Sequence, residues 1–157
     1  MLEDILAIIA QSPGARALKS SRYVYPMVNA AHILGLSTLF GSVVALDLRL
    51  LGAFRSIPVP PLVRLLPRIA GAGLGLAIVT GALLFTVEPQ DYASNPAFLA
   101  KAALVGTGTA HALYLRRTQA WCDLANGGAV AGYIRASAAL SLALWTAAIV
   151  AGRFIAY

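Results

Sequence analysis

The chain contains two histidines, His32 and His111, and each lies in a long stretch nearly devoid of charge. Ionisable side chains in an apolar layer are costly and face the interior of a helix bundle where they occur. A neutral imidazole costs less, yet each ring nitrogen still needs a partner. Two lone histidines on two different segments read economically as the axial ligands of one haem b, each giving a nitrogen to iron. Asn29, His32 and Gly35 are three residues apart and share a helical face. Asn29 would set the tautomer of His32, and Gly35 would let a flat macrocycle approach the backbone. Gly108 stands in the same relation to His111, with Thr107 and Tyr114 nearby. Lys101, together with Arg22, Tyr23 and Tyr25, would offer cations and hydroxyls to haem propionates. In this reading His32 and His111 are metal ligands, and Asn29, Gly35, Gly108 and Lys101 complete the cofactor-binding set.

Each feature also has a plainer reading. The histidines can be structural, or one of them can ligate a metal with a different partner. Glycines can serve only to pack helices through small-xxx-small contacts, the role that Gly71 and Gly75, and Ser137, Ser141, Ala148 and Gly152, suit best. Lys101 can snorkel and the tyrosines can form an aromatic belt. Asp47 and Arg49 can pair, bind a headgroup or anchor an interface, and Trp145 can line a pocket or simply pack. Depth separates the readings. His32 follows Arg22 by ten residues and His111 follows Lys101 by ten, so both rings lie level if Lys101 marks the interface. From the other side His32 precedes Asp47 by fifteen residues and His111 precedes Arg116 by five, a mismatch of about 15 Å of helix rise.

Other chemistries find no support. No serine beside either histidine has a buried carboxylate for a triad. No second histidine falls at helical spacing for zinc, and the six carboxylates sit at or outside the interfaces, which disfavours calcium. No Gly-rich phosphate loop follows a strand.

The elements that must position these residues are written in the charge spacing. Between Arg22 and Asp47 lie 24 uncharged residues, between Arg68 and Glu88 lie 19, and between Arg135 and Arg153 lie 17. The stretch from Asp91 to Arg116 carries a single charge, Lys101. A helix needs about 20 apolar residues to cross the hydrocarbon, so the spacing predicts four spans, roughly 25–46, 69–87, 96–115 and 134–155. Ser56-Ile57-Pro58-Val59-Pro60-Pro61, Glu88-Pro89-Gln90-Asp91 with Asn95-Pro96, and Ala125-Asn126-Gly127-Gly128 read as the connections. Residues 2–11 are too short to span. With Ile5, Ile8 and Ile9 on one side and Glu3 and Asp4 where a signal peptide is basic, they read as a helix on the membrane surface.

Composition agrees. Only 11% of the 157 residues are charged and 59% are hydrophobic, with a mean hydropathy of +0.77, whereas soluble domains carry about 25% charge. That excludes an ordinary soluble enzyme and a disordered chain. The net charge of +6 is dispersed singly and in pairs, which argues for membrane topology and against nucleic acid. Seven cations fall in the loops after the first and third spans and five on the opposite side. The positive-inside rule then places both termini on the periplasmic side of a bacterial inner membrane. A single cysteine, Cys122, excludes an internal disulfide. The fold class is therefore all-α: one membrane domain over 1–157, a four-transmembrane-helix bundle with a short N-terminal interfacial helix.

The blocks YPMVNAAHILGL, FGSVVALDLRLLG, TGALLF and NPAFLAKAAL resemble an uncharacterised bacterial family of small four-helix integral membrane proteins. His32, Gly35, Gly41, Asp47, Arg49 and Gly52 carry the resemblance, which covers roughly 20–115 and implies a fold without a reaction. A histidine followed by a glycine in a first span is also loosely similar to cytochrome b561-like and copper-resistance membrane proteins. The function expected from the residues is electron transfer by a b-type haem protein, between a quinone or a redox partner protein and an outside acceptor. Membrane lipid is its environment, and the chain is expected to be a homo-oligomer or the subunit of a complex. The rival is a non-redox bundle that anchors or assembles a complex, or carries a small molecule or metal ion.

Overall fold

The structure, a computed structural model, describes residues 2–155. Among these every regular element is an α-helix: α1 (Leu2–Ala10), α2 (Pro13–Ser20), α3 (Val24–Leu51), α4 (Val59–Phe85), α5 (Pro89–Ser94), α6 (Pro96–Arg116), α7 (Gln119–Ala125) and α8 (Gly132–Phe154). Helices α3, α4 and α8 are long and apolar enough to cross a membrane. Helix α6 is long enough, but Lys101, His111 and its threonines leave it less apolar. The outside of the long helices is greasy at mid-length: Leu34 is 64% exposed, Val79 61% and Leu140 51%. Large apolar side chains turned outward along whole helices suit lipid and not water. These features mark a membrane protein.

Helix boundaries follow capping chemistry. Asn95 Oδ1 accepts from the backbone N–H groups of Ala97 (2.9 Å) and Phe98 (3.3 Å), and Pro96 opens α6 where no N–H is needed. Ser12 and Thr118 cap α2 and α7 in the same way. Gly52 closes α3 in the left-handed region, φ 109°. The proline-rich segment before the second span is only partly a loop. Pro58 is the N-cap of α4, and Pro60 and Pro61 occupy its first turn, where backbone donors have no helical acceptor. That span therefore begins about ten residues earlier than the charge spacing suggests. Three short helices, α2, α5 and α7, lie outside the expected spans, and α5 occupies the Pro89–Asp91 segment expected as a connection.

The long helices make contact in the order α4–α3–α8–α6. The α3–α4 crossing is close because two glycines meet there. A Cβ on Gly35 would stand 2.8 Å from the Ala77 nitrogen, and one on Gly73 would stand 2.6 Å from the Leu39 nitrogen. Gly71 and Gly75, read as packing residues, have open space around them instead. At one end Leu46 and Leu50 of α3, Val59 and Val63 of α4, Trp121 and Leu124 of α7 and Ile134 of α8 form an apolar core. Arg64 donates to the Ala125 carbonyl and ties α4 to the end of α7. At the opposite end Phe85 stacks on Phe98 (centroids 5.5 Å), with Tyr92 against both, and this aromatic clasp joins α4, α5 and α6. Helix α1 packs on α5 there, with Leu6 buried while Ile5 and Ile8 point outward.

Candidate functional site along helix α8

One face of α8 carries Ser137, Ser141, Trp145, Ala148 and Gly152, spaced by four, four, three and four residues. Such spacing makes a single stripe, and the stripe runs between α3 and α6. Fifteen residues of rise give it a length of about 22 Å. Three ionisable side chains of the neighbouring helices, His111, Asp47 and Lys101, meet this stripe.

At the first station the Ser137 hydroxyl forms a 2.8 Å hydrogen bond with His111 Nε2 of α6. The other ring nitrogen, His111 Nδ1, is buried with no hydrogen-bond partner among the described residues. One turn along, the Ser141 hydroxyl lies near the carboxyl of Asp47 on α3. Asp47 is only 6% exposed, and its Oδ2 has no partner among the described residues. An unpaired carboxylate in apolar surroundings costs several kcal/mol or more, so the placement stands out. Asp47 does not pair with Arg49. Two residues along a helix point nearly opposite ways, and Arg49 Nε donates to the Ile57 carbonyl at 2.6 Å.

Next comes a barrier. Trp145 is 5% exposed and lies flat on Gly108 of α6, where a Cβ would stand 3.1 Å from its ring. Ala148 is buried beyond it. At the far station the stem of Lys101 on α6 lies over Gly152, with Nζ 3.6 Å from where a Cβ would be. Lys101 is close enough to His32 of α3 to act on it electrostatically. His32 itself turns toward α4. Its Nδ1 lies 3.0 Å from Thr80 Oγ1, and its ring covers Gly81, where a Cβ would come within 3.0 Å of Cε1. The Thr80 proton is already given to the Leu76 carbonyl at 2.6 Å. With the Thr80 hydroxyl donating to Leu76, its oxygen accepts from the His32 tautomer that is protonated at Nδ1.

These placements bear directly on paired haem ligation, and the residues do not fit it. His32 is level with Lys101, while His111 is level with Ser137 near the Asp47 end, ten residues along α6 or about 15 Å of rise away. The rings address different helices, α4 and α8. Gly35 is filled by the α4 backbone and Gly108 by Trp145, so neither cradles a macrocycle. Asn29 is exposed, and the group that orients His32 is Thr80. Nor do three His, Cys, Asp or Glu side chains converge anywhere among the described residues. Of the expected set, only His32 and Lys101 come together.

The residues that sequence reading missed are Thr80, Gly81, Ser141 and the inward role of Asp47. A signal existed for Asp47: Arg49 two positions later cannot share its face, so one of the two had to turn inward. Thr80 and Gly81 gave none, because their meaning depends on the α3–α4 crossing. No model of a known family matches this chain, and no curated protein or solved structure matches it either.

Proposed function

We propose that this chain is a non-redox membrane carrier that moves protons along the α8 stripe, with α6 serving as a fourth span. Twenty-one residues of α6 rise about 31 Å, enough for the hydrocarbon, and Lys101 has the length to snorkel. The loops richer in arginine lie on the cytoplasmic side of a bacterial inner membrane in this reading, with both termini periplasmic. One observation carries the proposal. Asp47 Oδ2 and His111 Nδ1, on two helices that flank α8, are both buried and have no hydrogen-bond partner among the described residues. A bundle that only anchored other subunits would gain stability from apolar side chains at both places. Two groups able to take up and release a proton, each beside a serine of the same helix, serve a carrier. A metal ion as cargo would find too few ligands there.

In this mechanism Asp47 and His111 are the proton-accepting groups, and Ser141 and Ser137 keep them in line. Trp145 on Gly108 is the apolar seal between that station and the Lys101–His32 station. Transport requires the seal to open. The test is proton flux into liposomes that hold a trapped pH-sensitive dye, driven by a potassium diffusion potential. The wild-type rate should exceed the protein-free rate, Asp47→Asn should return it to that level, and Trp145→Ala should raise it. Wild-type flux equal to that of empty liposomes would refute the carrier. An absorption spectrum of the same preparation after haem-sufficient expression should lack a b-type band, and a band lost on His32→Ala or His111→Ala would restore the haem reading.

A further inference from the structure

Where α3 ends, the chain makes a constrained turn whose result is a cluster of guanidinium groups. Gly52 is left-handed at φ 109°, and Phe54 adopts φ 50°, a region that a bulky residue enters at a cost. The turn brings Arg55 back so that its Nε donates to the Gly52 carbonyl at 3.2 Å. Arg49 is held from the helix side, its Nε donating to the Ile57 carbonyl (2.6 Å) and its Nη2 to the Arg55 carbonyl (3.4 Å). Arg135, in the first turn of α8, forms the facing wall of one cavity of about 380 Å³. Its remaining lining is Leu50, Leu51, Gly52 and Val130, with no carboxylate.

We infer that this cavity binds a phosphate group. Backbone carbonyls fix the Nε edges of Arg49 and Arg55, so their terminal N–H donors are oriented before any ligand arrives. An arginine fork matches tetrahedral phosphate oxygens in pairs, and a fixed fork loses little entropy on binding. Three cations with no acid in the lining need a multiply accepting anion, and a phosphate has more acceptor oxygens than a carboxylate. Asp47, the nearest acid along α3, faces Ser141 and offers no compensation. Exposed Leu51 and Phe54 border the cluster, so apolar surface adjoins it as acyl chains would require. The phosphate can therefore belong to an anionic phospholipid headgroup or to a free phosphate compound. Phosphate binding here is independent of proton carriage.

The test uses the full chain in detergent, titrated in separate arms with short-chain phosphatidylglycerol, short-chain phosphatidylcholine and inorganic pyrophosphate. Binding is read by native mass spectrometry and thermal shift. Phosphatidylglycerol binding that weakens about tenfold or more in Arg55→Gln/Arg135→Gln, as loss of charge-assisted hydrogen bonds implies, supports a lipid headgroup site. Pyrophosphate binding with the same sensitivity, and no lipid preference, supports a site for free phosphate. Arg64→Gln/Arg68→Gln, which removes two cations outside the cavity, should leave binding unchanged. If the cavity variant binds every probe as the wild type does, or both pairs weaken binding equally, the site does not exist.

Discussion

At Gly35 and Gly73 the distance between two helices depends on missing atoms. Their Cβ positions fall under 3 Å from the backbone of the opposite helix, and backbone cannot swing aside as a side chain can. Gly35→Ala or Gly73→Ala should therefore push α3 and α4 apart and cost about 1–3 kcal/mol, the usual price of overpacking. Gly71→Ala and Gly75→Ala on the same α4 meet open space, and the gain in helix propensity should make them neutral or more stable by up to about 1 kcal/mol. Denaturant unfolding of the four variants in one detergent checks the contrast. Equal losses at all four positions would mean that the close crossing is absent. The same crossing carries Thr80 and Gly81 to the His32 ring, so the Gly35 and Gly73 variants should also disturb the Lys101–His32 station.

Among the elements, α5 shows how a six-residue helix can govern one end of the molecule. It sets Tyr92 against both Phe85 and Phe98, at ring distances of 6.1 and 5.6 Å. Burial pushes the Tyr92 phenol above the ordinary tyrosine value, with smaller contributions in the same direction from Tyr25, Glu88 and Asp91. The folded state thus prefers the neutral phenol. Its stabilising effect is intact below the unfolded tyrosine pKa of about 10 and is lost as pH rises from there through the raised folded value. Wild-type protein should lose thermal stability faster than Tyr92→Phe in that alkaline window, while the two should run in parallel at neutral pH. A melting series across pH checks this, and identical alkaline slopes would contradict it.

Over the whole molecule, the number of crossings fixes which surface faces which compartment. With α6 crossing, Cys122 on α7 and residue 12 between α1 and α2 lie on opposite sides. If α6 does not cross, they lie on the same side. Cys122 is exposed and is the one cysteine in the chain, which makes it a native reporter. In sealed right-side-out vesicles an impermeant maleimide should leave wild-type Cys122 unmodified, and it should modify Ser12→Cys in a Cys122→Ser background. Labelling of both from outside would reduce the protein to three crossings. Four crossings would also place the arginine cavity beside Arg49 and the seven-cation loops on one face, so topology and phosphate binding can be compared in the same vesicles.

Charge spacing alone determined that the chain is helical, that its long segments are apolar over membrane length, and that its rare polar residues lie inside them. Those properties are additive along the chain and follow from residue type and helical rise. The Asn95-Pro96 pair also marked a helix start, because caps are local. The proline run before α4 was harder to read, since proline both breaks a helix and begins one. What only the tertiary structure decided is which residues face each other. His32 and His111 look equivalent in one dimension, but the Gly35–Gly73 crossing turns one toward α4 and the α6–α8 contact turns the other toward Ser137. Facing is a property of helix pairs, set by the depth and rotation at which they pack, and no single segment carries that information.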